Sequence, residues 1–122
     1  MSLSNTLVLG ASLKPYRYSN KAILSLINNG HNVVAVGNKK GITHGVNITN
    51  IFPELNSKID TVTLYLNAKN QKPYFEKILK LKPTRIIFNP GTENRELASI
   101  AKENNIQIIE GCTLVMLSLN QY

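Results

Sequence analysis

The sequence holds one cysteine, Cys112. That excludes an internal disulfide and any metal site built from several thiolates, and it fits a reducing cytosol. Long apolar runs are missing as well. The longest span four or five residues, whereas a helix needs about 20 to cross a bilayer. Met1-Ser2-Leu3-Ser4-Asn5 shows no basic stretch leading into an apolar core, so no signal peptide is expected. Acidic residues are scarce. Seven stand against fourteen basic ones, a formal charge of +7, and none precedes Glu54. Lys14, Arg17, Lys21, Lys39 and Lys40 all lie in that acid-free stretch. A positive half of this kind suits an anionic partner: nucleic acid, anionic lipid or a polyphosphate cofactor.

What is present is an ordinary globular mix, 43% hydrophobic and 17% charged over 122 residues. One domain over residues 1–122 is expected, and a chain of this size buries about 65% of its unfolded surface. Leu7-Val8-Leu9, ending at Gly10, reads as a buried strand. Ser19 reads as the N-cap of a helix with Ala22, Ile23, Leu26 and Ile27 inward and Gly30 as its stop. Val33–Val36 is a second strand. Residues 37–58 read as irregular, with Val46-Asn47-Ile48 as a short edge strand. Val62–Leu66 follows as a strand. A helix then starts near Pro73, faces inward through Tyr74, Phe75, Ile78 and Leu79, and ends at Pro83. Ile86–Phe88 is a strand, Thr92 caps the next helix, Ile106–Ile109 is the last strand, and Leu114–Leu117 a terminal helix.

Continuously apolar strands alternating with helices predict an α/β, Rossmann-like, doubly wound fold. Its sheet would be mostly parallel, with five or six strands and helices on both faces. In such folds ligands bind beyond the carboxyl ends of the strands, where the strand order reverses. The residues just after each strand are therefore the candidates. Gly10, Ala11 and Ser12 would let a ligand lie against the main chain, and the following helix would offer free N–H groups to a phosphate. Lys14, Arg17 and Ser19 would add charge and hydroxyls. The stretch is not G-x-G-x-x-G. After the second strand, Asn38, Lys39 and Lys40 stand where a plain NAD domain carries an acid for the ribose diol. Lysines there suit a ribose bearing an extra phosphate, as in NADP or coenzyme A. Tyr65 and Asn67 follow the third long strand. Asn89, Pro90 and Gly91 supply turn amides at the same edge. Cys112 lies near a helix start after the last strand, although inert burial is the commoner fate of a lone cysteine.

The order Leu9-Gly10-Ala11-Ser12, Pro15-Tyr16-Arg17-Tyr18-Ser19, Gly30-His31-Asn32-Val33, Asn89-Pro90-Gly91-Thr92-Glu93-Asn94 and Ile109-Glu110-Gly111-Cys112 resembles the small stand-alone CoA-binding proteins. Those are similar to the N-terminal CoA-binding domain of the succinyl-CoA synthetase alpha subunit. The resemblance covers roughly residues 5–118. It implies coenzyme A across the strand ends, with the diphosphate at Gly10, Ala11, Ser12, Arg17 and Ser19. Lys39 and Lys40 match the 3′-phosphate end, and Tyr65–Asn67 the strand end beside the nucleotide. Where that family commonly reads Val-Asn-Pro, this chain reads Val36-Gly37-Asn38.

No nucleophile–base pair and no His or Cys spacing of a metal site stands out. His31 falls in a helix-to-strand turn at the opposite edge and reads as structural; His44 reads as an exposed loop residue. The expectation is a cytoplasmic, non-catalytic CoA-binding domain, with a protein partner or homodimer open and no membrane role. Two alternatives use the same residues: an NADP-binding protein or small reductase, and a basic nucleic-acid module built on Lys14, Tyr16, Arg17 and Tyr18.

Overall fold

The computed structural model describes residues 4–54 and 58–122. Five parallel neighbours and one antiparallel hairpin make a seven-stranded sheet. Its elements are β1 (Asn5–Leu9), α1 (Tyr18–Asn28), β2 (Asn32–Val36), β3 (Gly41–Thr43), β4 (Val46–Thr49) and β5 (Thr61–Leu64). Next come α2 (Ala68–Gln71), a 3-10 turn (Lys72–Tyr74), α3 (Phe75–Leu81), β6 (Arg85–Phe88), α4 (Arg95–Glu103), β7 (Gln107–Glu110) and α5 (Thr113–Ser118). The strand order is β3-β4-β2-β1-β5-β6-β7, and only the β3–β4 pair is antiparallel. The Rossmann-like α/β expectation holds. The order reverses at β1, which pairs with β2 on one side and β5 on the other.

Strand side chains alternate between two helical layers. Leu7, Leu9, Val62, Leu64, Ile86 and Phe88 pack on Phe75, Ile78, Leu81, Leu97 and Ala101. Val8, Ala35 and Ile48 pack on Ile23, Leu26 and Leu117. The second layer is thinner, because α5 has only six residues. Beneath it the sheet carries Thr6, Thr61 and Thr63, all buried.

The count of seven exceeds the expected five or six because the segment read as irregular holds a hairpin. His44 (φ 51) and Gly45 (φ 78) turn it, two successive left-handed residues as a type I′ turn requires. A His-Gly pair is a weaker signal than Asn-Gly, and β3 has only three residues. β3 takes the sheet edge, so β4 lies inside it, against β2. Residues 55–57 of that segment, like Met1–Leu3, lie outside the described residues.

Two caps also differ. Arg17, not Ser19, is the N-cap of α1, with no side-chain cap bond. Asn94, not Thr92, caps α4 and accepts the Leu97 N–H at 3.2 Å. Thr92 instead donates its hydroxyl to the Asn89 carbonyl at 2.7 Å. The helix expected from Pro73 begins earlier, where Asn67 accepts the Asn70 N–H at 3.0 Å, and Pro73 falls in the 3-10 turn.

Leu26 is fully buried between α1 and the sheet. Leu26→Ala should lower the unfolding free energy by about 2–5 kcal/mol, the range for a buried leucine. A denaturant midpoint unchanged from the parent would contradict the packing of that layer.

Candidate functional site: a basic cleft at the carboxyl edge of the sheet

The strand order opens a crevice between the loops after β1, β2 and β5. The backbone makes the first contact. Both Gly10 and Ala11 donate their N–H to the Val36 carbonyl at 2.9 Å, which ties the β1 loop to the end of β2. Gly10 turns at φ +98, and a Cβ there would sit 2.9 Å from the Tyr65 carbonyl carbon. A Cβ on Gly37 would run into the Ala11 carbonyl oxygen. Glycine at 37 therefore permits the close approach, so its departure from Val-Asn-Pro has a structural reason.

Buried amides then fix the loops. Asn20, at 2% exposure, donates to the Ser12 carbonyl at 2.8 Å and the Thr43 hydroxyl at 2.9 Å. Its Oδ1 pairs with His44 Nε2 at 2.8 Å, so His44 braces the hairpin. Gln71 donates to the Leu66 carbonyl at 2.8 Å and the Thr92 carbonyl at 2.7 Å, bridging the loops after β5 and β6. Asn94 Nδ2 donates to Gln71 Oε1 at 2.9 Å.

The resulting cleft has a volume of about 520 Å³. Twelve of the predicted residues border it. Gly10, Ala11, Ser12, Lys14, Arg17 and Ser19 come from the first loop and the start of α1. Asn38 and Lys39 follow β2, Tyr65 and Asn67 follow β5, and Pro90 and Gly91 follow β6. Lys40 and Asn89 do not border it. Lys40 is exposed at the start of the hairpin. Asn89 is buried and fully engaged: its Nδ2 donates to the Thr63 hydroxyl at 2.7 Å and the Leu64 carbonyl at 2.9 Å. Its Oδ1 accepts the Thr113 N–H at 2.9 Å. The turn chemistry of Asn89-Pro90-Gly91 is real, but the asparagine faces the sheet. Sequence reasoning missed Leu13, Gly37, Tyr74 and Thr92 as wall residues, and included Leu66 only within Tyr65–Asn67. Tyr18, given a binding role in the sequence only for the nucleic-acid alternative, also borders the cleft, directly after Arg17.

Among the described residues that border the cleft, Lys14, Arg17 and Lys39 are cationic and none is acidic. Arg17 stacks over the Tyr16 ring and Lys21 over the Tyr18 ring, 5.9 and 5.5 Å to the centroids. Glu93 is nearest in sequence to the wall, and its carboxylate accepts the Gly91 N–H at 3.0 Å. Burial pushes the Tyr65 phenol up to about 12, against the opposing pull of the Thr113 and Thr63 hydroxyls. Tyr65 is thus a neutral wall at physiological pH. Cys112 is half-buried at the N-cap of α5 and does not border the cleft. No group of three or more His, Cys, Asp or Glu side chains able to hold a metal occurs among the described residues. No described helix is long and apolar enough to cross a membrane.

A Rossmann-like sheet with a basic, carboxylate-free cleft at its switch point defines a nucleotide-binding type of domain. The chain belongs to the CoA binding domain family, which it matches over residues 4–118. An uncharacterized protein of known crystal structure is 47% identical, with 100% of each chain covered and a TM-score of 0.95. A hypothetical protein from Pyrococcus horikoshii OT3 is 25% identical over 96% of this chain and 83% of its own, with a TM-score of 0.86. A protein from Thermus thermophilus shares the fold at 19% identity, over 98% and 91% of the two chains, again with a TM-score of 0.86. No curated protein matches the chain.

Asn89→Ala would leave the buried Thr113 N–H without its acceptor. An unsatisfied buried donor costs about 1–3 kcal/mol, so chemical denaturation should show a loss of that size. A neutral result would mean that water or a neighbour replaces Asn89. The raised Tyr65 pKa has its own signature. The unfolded phenol ionises near 10 and the folded one near 12, so the unfolded state loses its proton first. Stability should fall as pH rises between those values. Tyr65→Phe should show a shallower fall over that window; equal slopes would contradict the burial.

Proposed function

We propose that this protein binds coenzyme A, or a CoA thioester, in the cleft at the carboxyl edge of its sheet, as a binding domain without catalytic machinery of its own. The observation that carries the reading is the charge of the wall: Lys14, Arg17 and Lys39 with no carboxylate among the described lining residues. A ligand with a diphosphate and a 3′-phosphate has the matching polyanionic character, and family membership supports the same class of ligand. The Gly10 and Ala11 amides are spent on Val36, so the diphosphate lies against the small side of Gly10, Ala11 and Ser12 and takes its donors from the first N–H groups of α1, at Tyr18 and Ser19, and from the Arg17 fork. The 3′-phosphate faces Lys39. An unphosphorylated ribose would gain little from that lysine. Tyr65, Leu66 and Tyr74 give the cleft an apolar side, suited to the adenine ring or the uncharged pantetheine arm.

Two titrations test this by calorimetry. Arg17 has no cap bond to lose, so Arg17→Ala should keep the melting temperature and weaken CoA binding by about tenfold, as for a charge-assisted contact. Unchanged affinity would remove Arg17 from the site. The parent chain should also prefer CoA to 3′-dephospho-CoA several-fold, with an affinity that falls as salt rises. Lys39→Ala should lose most of that preference and Lys40→Ala little of it. Equal affinity for both ligands in the parent chain would sink the role of Lys39.

A further inference from the structure

At the opposite, amino-terminal edge of the sheet a second cavity of about 300 Å³ lies between the starts of β1, β5 and β6. Its wall includes His31, Asp60, Thr61, Thr84, Arg85 and the terminal residue Tyr122. Three features set its chemistry. First, His31 is 3% exposed, and its Nε2 has no hydrogen-bond partner among the described residues. Its Nδ1 accepts the Ser4 N–H at 3.0 Å, so the neutral ring carries its proton on Nε2, a donor with no acceptor. Burial, and then the Arg85 charge, disfavour protonation of the ring, which keeps that neutral form. Second, Arg85 spends only Nε on a protein acceptor, the Thr61 hydroxyl at 2.9 Å. Its guanidinium lies over the Tyr122 ring, 4.4 Å to the centroid, and its terminal N–H groups have no acceptor among the described residues. Third, the Tyr122 ring meets the His31 ring edge to face at 4.9 Å and is anchored by a hydrogen bond between its hydroxyl and that of Thr6.

We propose that this cavity is a second binding site, separate from the cleft, for a small organic carboxylate. The open terminal N–H groups of Arg85 call for a ligand that only accepts, and a planar carboxylate matches the guanidinium fork; the shielded His31 Nε2 is not a contact of that ligand, and the ring serves as a wall and a reporter. Asp60 decides between anions. Its Oδ2 accepts the Asn5 N–H at 2.9 Å, which holds a negative charge on the same wall. One cation and one carboxylate leave little net charge for a dianion, whereas a monoanion still gains the directional fork. The faces of Tyr122 and His31 suit a short aliphatic stem.

The test follows the His31 imidazole signals by NMR in the intact chain, during additions of sodium butyrate against sodium chloride at equal ionic strength. Butyrate should move His31 saturably and chloride should not. Arg85→Gln should weaken the effect at least tenfold and leave CoA affinity unchanged. If Arg85→Gln does not fold, Arg85→Lys keeps the charge, loses the fork and should weaken binding several-fold. The proposal is overturned if butyrate acts no more than chloride, or if the Arg85 variant that folds binds as the parent does. Inorganic phosphate binding more tightly than butyrate would also overturn it.

Discussion

The approach of the β1 loop to the end of β2 governs the rest of the structure. Two successive amides, of Gly10 and Ala11, share the Val36 carbonyl, and no side chain on residue 37 would fit beside the Ala11 carbonyl. That contact sets the floor of the cleft and brings Arg17, from the loop after β1, and Lys39, from the loop after β2, to one cavity. It also places the hairpin of β3 and β4 beside the first loop, where Asn20 and His44 join them.

The walls are held by amide side chains more than by ion pairs. Asn20, Gln71 and Asn89 are each at most 2% exposed; Gln71 and Asn89 bridge backbone groups from different segments, and Asn20 ties the Ser12 carbonyl to the Thr43 and His44 side chains. Neutral brackets leave the surface cations free to meet a ligand. A buried amide with every partner in place also fixes a geometry more sharply than apolar contact does. The two faces of the sheet differ in consequence. The α3–α4 side is a wide apolar core, while the α1–α5 side buries a row of threonines that anchors Asn89, Arg85 and Tyr122.

Much of this was legible from periodicity. β1, β2, β5 and β6 are short apolar runs closed by glycine, asparagine or proline turns, and their helices carry clear inward faces. The rule that ligands lie beyond strand carboxyl ends led to most of the cleft wall. The hairpin was not legible, because its strands are short and half exposed and Ile42 points outward. Ser19 and Thr92 look like caps locally, yet each is buried; which of several polar residues caps a helix depends on where the preceding loop docks. Asn89 looked like a ligand donor because turn residues at a strand end usually face outward. Only the tertiary pairing of β5, β6 and α5 turns it inward.

Thermal unfolding of the chain in the presence of CoA, NADP or a single-stranded oligonucleotide, each over a range of concentrations, separates the three classes of ligand. Ligand that binds only the folded state stabilises it by RT ln(1 + [L]/Kd), about 2.7 kcal/mol at a hundredfold excess over Kd. With CoA in the cleft, the melting temperature should rise with CoA concentration and by more than with either competitor. Stabilisation by NADP or by the oligonucleotide, with none from CoA, would contradict it.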